Sequence, residues 1–217
     1  MFFTTESSDP TIDFNGLRFF TIKSPALVRR ADLTVWLPDG AEDLQNLPVV
    51  TLLHGVYGSH WSWALQGGAH VVARDLIAAG CIRPMVLAMP SDGMWGDGSG
   101  YLTHRSADYE RWIVDDVPKL LREQITAVSE ASPQFIAGLS MGGYGALRLG
   151  AKYPERFRGF SGLSSITEFD QLGLFFENAD LSKIRAEDVA EERVLDLLLK
   201  TATACRPSAS IAARTIC

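Results

Sequence analysis

Residues 133–150 read PQFIAGLSMGGYGALRLG, and no other stretch limits the fold so tightly. An apolar run, Phe135 to Gly138, has the composition of a buried strand. A helical pattern follows to about Tyr153. Between them Ser140 stands in Gly138-Leu139-Ser140-Met141-Gly142, the G-x-S-x-G pattern. A chain that passes from strand to helix in so few residues must turn sharply. Small neighbours allow that turn and leave the hydroxyl accessible. Ser140 is therefore the candidate nucleophile, set at the carboxyl end of a strand.

The rest of the chain supplies what such a turn needs around it. Residues 17–37 read as two strands, with Leu33, Val35 and Leu37 alternating as in a half-exposed hairpin. Further strands are expected at 48–53, 84–89 and 160–163. Helical spacing covers 61–80, with Val71, Val72, Leu76 and Ile77 on one face, and 106–124, where Pro118 predicts a kink or fresh start. Residues 187–200 also read as a helix. Strand and helix alternate from residue 48 onward, which predicts an α/β domain: a mostly parallel sheet with helices on both faces. Ligands in such sheets sit at the carboxyl ends of the strands. The loops expected there are 54–59, 91–101 and 138–143.

Composition excludes some classes of partner. A net charge of −6 with 21% charged residues disfavours nucleic acid. No apolar run approaches the ~18 residues that would suggest a membrane span. The start, MFFTTESSDPTIDF, lacks the pattern of a secretory signal, so a cytoplasmic location is expected. Cys81, Cys205 and Cys217 have neither disulfide-framework nor zinc spacing, and no metal or organic cofactor is indicated.

An acyl-transfer serine needs two backbone N–H groups to hold the developing oxyanion. Met141, just after Ser140, is one candidate. Val56, in the loop His54-Gly55-Val56-Tyr57-Gly58, is the other, with Tyr57 as the alternative. Tyr57, Asp92 and Trp95 are candidate substrate contacts, with Asp97 and Tyr101 beside them in the glycine-rich loop. His54 reads either as a base or as a residue that bonds the loop backbone, and its place at a strand end favours the second. His104 is a weaker candidate contact, since a lone histidine near a helix start more often caps it or faces solvent, and His60 and His70, in or beside the first helix, are assigned no chemistry. All four histidines precede Ser140, so the acceptor of its proton is not evident.

Four segments together carry a resemblance: LLHGVYGSHWSW (Leu52 to Trp63), PSDGMWGDGSGY (Pro90 to Tyr101), YERWIVDDVP (Tyr109 to Pro118) and AGLSMGGYGALRLGAKYPERF (Ala137 to Phe157). The chain is similar to the esterase family of α/β-hydrolases that groups S-formylglutathione hydrolases, esterase D proteins and mycobacterial antigen 85 mycolyltransferases. The resemblance covers about residues 15 to 195. It implies a Ser-His-Asp acyl hydrolase or acyltransferase acting on a small ester or thioester. By that match Ser140 is the nucleophile, and Val56 and Met141 serve the oxyanion. The family places its acid and then its histidine after the serine, whereas no histidine follows Ser140 here.

The end of the chain departs from the pattern. Residues 201–217, TATACRPSASIAARTIC, show no clear period. Permitted codons for Cys205 to Cys217, shifted by one base, spell Leu-Pro-Pro-Phe-Arg-Phe-Asp-Cys-Gly-Thr-Asp-Asp-Leu, which resembles the family's aspartate-bearing segment. The expectation is an incomplete α/β-hydrolase domain over 1–200, lacking its last strand–helix units, and a frameshifted, non-native tail over 201–217. A genuine short C-terminus is the alternative. The expected function is an impaired serine esterase, with a catalytically dead fragment, a non-catalytic binding relative or an acyltransferase as alternatives. Oligomeric state is left open.

Overall fold

A computed structural model describes residues 2, 4–12, 14–93, 96–176, 181–183 and 192–204. Trp95 and the tail beyond Ala204 lie outside them. Seven strands form one mixed sheet: β1 (Thr5–Ser7), β2 (Leu17–Ser24), β3 (Arg29–Trp36), β4 (Val49–Leu53), β5 (Val86–Pro90), β6 (Gln134–Leu139) and β7 (Phe157–Leu163). Their order in space is β1-β2-β3-β5-β4-β6-β7. The four strands β5, β4, β6 and β7 run parallel, while β1, β2 and β3 form an antiparallel end.

Side chains of the parallel strands alternate between two cores, as the pleat requires. Val49, Leu53, Val86, Ala88 and Ile136 enter the larger core, which α3 (Val117–Gln124) and α4 (Met141–Lys152) help to build. Leu52, Leu87 and Met89 enter a smaller core with Ala64 and with Ala73 of α1 (Ala69–Ala78). The sheet is thus covered on both faces, as the alternation of elements predicts.

Three local expectations are corrected. The 17–37 hairpin is not half-exposed at β3, because β3 also pairs with β5; Leu33, Thr34 and Val35 are all buried. Helix 61–80 is divided into a π-type turn at Ser62–Gln66 and then α1. Three of the four residues of its apolar face point outward: Val72 is 56% exposed, and Val71 and Leu76 are exposed too, while Ile77 packs partly buried on the smaller core and the buried residues of α1 are His70 and Ala73.

Of the kink or fresh start expected at Pro118, the structure has the fresh start. A short α2 (Tyr109–Arg111) leads into a π-type turn over Trp112–Asp116 and then into α3, with Pro118 in its first turn. Proline has no N–H to give the carbonyl four residues back. That carbonyl, on Val114, instead accepts from Arg156 Nη1 at 2.9 Å. Helix α5 (Val194–Ala204) packs on α4 and extends past residue 200; Thr201 Oγ1 donates to Ala151 O at 2.7 Å. Among the described residues no helix is long and apolar enough to cross a membrane.

Candidate active site

Ser140 sits between β6 and α4 with φ 55° and ψ −116°, a conformation that costs of order 1–3 kcal/mol for a residue with a Cβ. The surroundings hold it there. Its N–H donates to Leu163 O of β7 at 2.9 Å, and its carbonyl accepts from Tyr144 N at 3.0 Å. The flanking glycines are needed for close approach. A methyl group on Gly138 would overlap the carbonyl of Gly142, and one on Gly142 would overlap the carbonyls of Leu53 and His54. The turn therefore presses directly against the end of β4. Ser140 remains half-exposed, at the positive end of the 12-residue helix α4, where negative charge is favoured.

The loop after β4 meets this turn. A Cβ on Gly55 would lie 3.5 Å from Ser140 Cβ and 3.4 Å from Leu139 O. Gly58 N–H closes a turn on Gly55 O at 3.2 Å, with Val56 and Tyr57 at its corner. Tyr57 N–H donates to Asp97 O at 2.9 Å, which removes it as an oxyanion donor. Among the described residues the N–H groups of Val56 and Met141 have no hydrogen-bond acceptor. Met141 follows Ser140 directly, and Val56 follows the Gly55 that approaches it.

The four histidines are all accounted for, and none is bonded to Ser140. His54 is buried; its Nδ1 contacts Gly55 O at 2.7 Å and its Nε2 accepts from Asp92 N at 3.1 Å. It bonds the loop backbone, in line with the favoured sequence reading. His60 Nδ1 pairs with Thr34 Oγ1 at 2.7 Å, and His104 Nε2 with Ser99 O at 2.8 Å. Burial lowers the pKa of both. His70 is a buried residue of α1.

The proposed substrate contacts fare differently. Asp92 is buried and its Oδ2 accepts from Ser99 N at 2.7 Å, so its carboxylate braces the loop from within instead of lining an open cleft. Trp95 lies outside the described residues. Tyr57 is 64% exposed, with φ 60°, and its hydroxyl donates to Phe175 O, linking the first loop to the segment after β7. Tyr101 is fully buried, and its hydroxyl donates to His54 O at 2.9 Å. Trp63 Nε1 donates to Leu53 O at 2.9 Å. No periodicity in the glycine-rich loop marks which of its side chains turn inward.

Behind the serine lies a charged cluster that the sequence reading missed. Arg148 of α4, 1% exposed, pairs with Glu110 Oε2 at 2.6 Å and donates to Tyr101 O at 2.7 Å. Lys152 and the Tyr153 hydroxyl both reach Glu110 Oε1. Burial alone would raise the Glu110 pKa, but Arg148, Tyr153 and Lys152 outweigh it and hold the group at about 2. A lone arginine in the apolar, glycine-rich α4 sequence was the available signal.

Among the described residues no group of three or more His, Cys, Asp or Glu side chains could hold a metal ion. A cavity of about 590 Å³, lined in part by Arg18, Leu37, Glu42 and Gln124, opens at the other end of the sheet. The acyl-transfer features lie instead at the carboxyl ends of β4 and β6.

Known proteins share parts of this sequence and this fold. An acetyl esterase of Caldicellulosiruptor saccharolyticus is 32% identical over 125 residues, covering 57% of this chain and 43% of that protein. An endo-1,4-beta-xylanase/feruloyl esterase of Xylanibacter ruminicola is 28% identical over 163 residues, covering 71% of this chain and 22% of that protein. The chain thus spans less than half the length of these curated relatives. Among solved structures, the fluorophosphonate-binding serine hydrolase FphF of Staphylococcus aureus superposes with a TM-score of 0.68 at 23% identity, over 87% of this chain and 74% of that one. An S-formylglutathione hydrolase from Agrobacterium tumefaciens gives 0.66 at 21%, over 90% and 73%. These likenesses show the α/β-hydrolase fold. Residues 24–189 match the family described as "Putative esterase", and the chain belongs to that family.

Proposed function

We propose that the chain is a serine hydrolase of small carboxylic esters or thioesters, working through an acyl-serine intermediate. The observation that carries this reading is the strained, half-exposed Ser140 with the loop bearing Val56 packed against it. Ser140 Oγ attacks the substrate carbonyl carbon, its proton passes to solvent water, and the carbonyl electron pair moves onto oxygen. The N–H groups of Val56 and Met141 stabilise that oxyanion. Collapse of the tetrahedral intermediate expels the alcohol or thiol, which takes up a proton. Water then attacks the acyl-serine by the same route and releases the acid. An alcohol acceptor in place of water would make the reaction an acyl transfer.

The proton on Ser140 is the weak point. None of the four histidines is bonded to it, and serine without a base is a poor nucleophile. Loss of a triad member costs on the order of 10⁴–10⁶ in turnover, while an oxyanion hole and binding retain a residual ~10³–10⁴ over water. We therefore expect slow turnover from this chain. Incubation with a fluorophosphonate probe, beside p-nitrophenyl acetate hydrolysis, tests the reading. Labelling and slow turnover that both vanish in Ser140→Ala support it. Folded protein that neither labels nor turns over favours a non-catalytic relative.

A further inference from the structure

We infer that His54 is a positioning residue for the oxyanion site, and that Tyr101 and the Asp92 amide hold it in place. This rests on the reading of Val56 N–H as an oxyanion donor.

The argument starts from one peptide plane. Gly55 C=O and Val56 N–H belong to the same planar unit and point in opposite directions. Whatever holds the carbonyl aims the amide. Gly55 O is held twice, by His54 Nδ1 at 2.7 Å and by Gly58 N at 3.2 Å. The first bond requires the proton on Nδ1. Asp92 N–H, 3.1 Å from Nε2, makes that nitrogen an acceptor and so assigns the tautomer from the bonding network. The Asp92 carboxylate, 3.8 Å from Nε2, lies beyond hydrogen-bond reach and does not compete.

Tyr101 completes the clamp. Its hydroxyl holds the His54 carbonyl at 2.9 Å, as Trp63 Nε1 holds that of Leu53. Three successive carbonyls, at 53, 54 and 55, are each engaged by a side-chain donor. Tyr101 is itself fixed: it is fully buried, and its carbonyl accepts from Arg148 Nη2 at 2.7 Å. His54 and Tyr101 also meet edge to face, with centroids 5.9 Å apart. The loop 91–101 thus sets the direction of an amide in the loop 54–58. His54 acts through this amide and not as a base, since both its nitrogens are committed to backbone groups.

Phenylboronic acid tests this. Its trigonal boron accepts Ser140 Oγ, the hydroxyl proton leaves to buffer, and the tetrahedral boronate carries negative charge into the oxyanion site. Affinity is read by calorimetry on the full chain, and the Val56 amide is followed by NMR of ¹⁵N-valine protein. In the wild type an adduct forms and the Val56 amide proton shifts; Ser140→Ala abolishes both. Tyr101→Phe weakens the adduct about tenfold, the scale of one hydrogen bond, in protein that still folds with a lowered thermal midpoint, because a buried carbonyl loses its donor. His54→Ala weakens it about a hundredfold, the scale of a lost oxyanion donor. His54→Asn, whose amide can still donate to Gly55 O, recovers affinity to within about threefold of wild type.

Equal affinity across these variants, with Val56 shifting in the wild type, overturns the positioning role and leaves the oxyanion reading standing. An adduct that leaves Val56 unmoved overturns the oxyanion reading, and the positioning role with it, as does the absence of any adduct. If His54→Ala does not fold, Tyr101→Phe and His54→Asn decide.

Discussion

Ser140 carries a positive φ because everything around it is packed too closely to relax. Gly138 and Gly142 permit that closeness, so the motif is a statement about backbone contact before it is one about chemistry. Gly138→Ala would drive a methyl group into the Gly142 carbonyl. A backbone collision cannot be relieved by a rotamer change, so the cost should reach about 3 kcal/mol, the upper range for overpacking. Urea unfolding of the variant should show this loss, and fluorophosphonate labelling should fall with it; an unchanged midpoint would mean the turn is looser than described. This much was legible in the sequence, because the spacing of small residues around a serine reports the turn directly. The role of His54 was legible only in outline. A histidine at a strand end suits either a base or a brace, and only the partners of its two nitrogens separate them. Asp92 and Tyr101 were less legible still. Both were read as cleft residues, yet both are buried and bonded to backbone, because a glycine-rich loop has no period to tell inside from outside.

At the level of elements, the strands and the long helices were readable wherever apolar runs ended in clear breaks. Helix α1 was readable as a helix but not in its facing. Val71, Val72 and Leu76 look outward, while Ala73 and Ile77 pack toward the sheet. The small core there is filled from the sheet side by Leu52, Leu87 and Met89, with Trp63 and Ile77 packed against it, so the fully buried apolar position on the helix is taken by the small Ala73. Periodicity marks an apolar stripe but cannot weigh the volume waiting on the other side. Val72→Lys should therefore change stability by less than about 0.5 kcal/mol, as at other open surface positions. Ala73→Leu should cost about 1–3 kcal/mol by overpacking. Chemical denaturation of the two variants checks the orientation, and the reverse ranking would restore the inward-facing stripe. The π-type turn before Pro118 teaches the complementary lesson. The proline announced an interruption, but the group that satisfies the Val114 carbonyl, Arg156, lies 42 residues away and no local pattern could name it.

On the scale of the whole molecule, charge ties the pieces together and sets how the fold responds to acid. Glu110 links α2 to α4 through Arg148, Lys152 and Tyr153. Glu110→Gln would leave the Arg148 guanidinium buried without its carboxylate and should cost about 3–5 kcal/mol. Acid acts in two separate windows. His60, His70 and His104 have folded pKa values lowered by burial, first of all, from the usual 6.5. Below pH 6.5 the unfolded chain binds these protons more readily than the folded one, so stability rises with pH there and is lost as pH falls toward the folded values. The Glu110 contribution behaves in the same sense but lower down: it is complete above its ordinary 4.5 and disappears as pH falls through about 2. Urea unfolding from pH 8 to pH 2.5 should therefore show a first decline beginning near pH 6.5 and a second, steeper one below 4.5. His60→Gln combined with His104→Gln should reduce the first decline to the share of His70 and spare the second, while Glu110→Gln should remove its share of the second only. If the double histidine variant keeps the full slope between pH 6.5 and 5, the imidazoles of His60 and His104 are not what acid attacks first, and the loop around Ser99 and His104 is less tightly held than its hydrogen bonds imply.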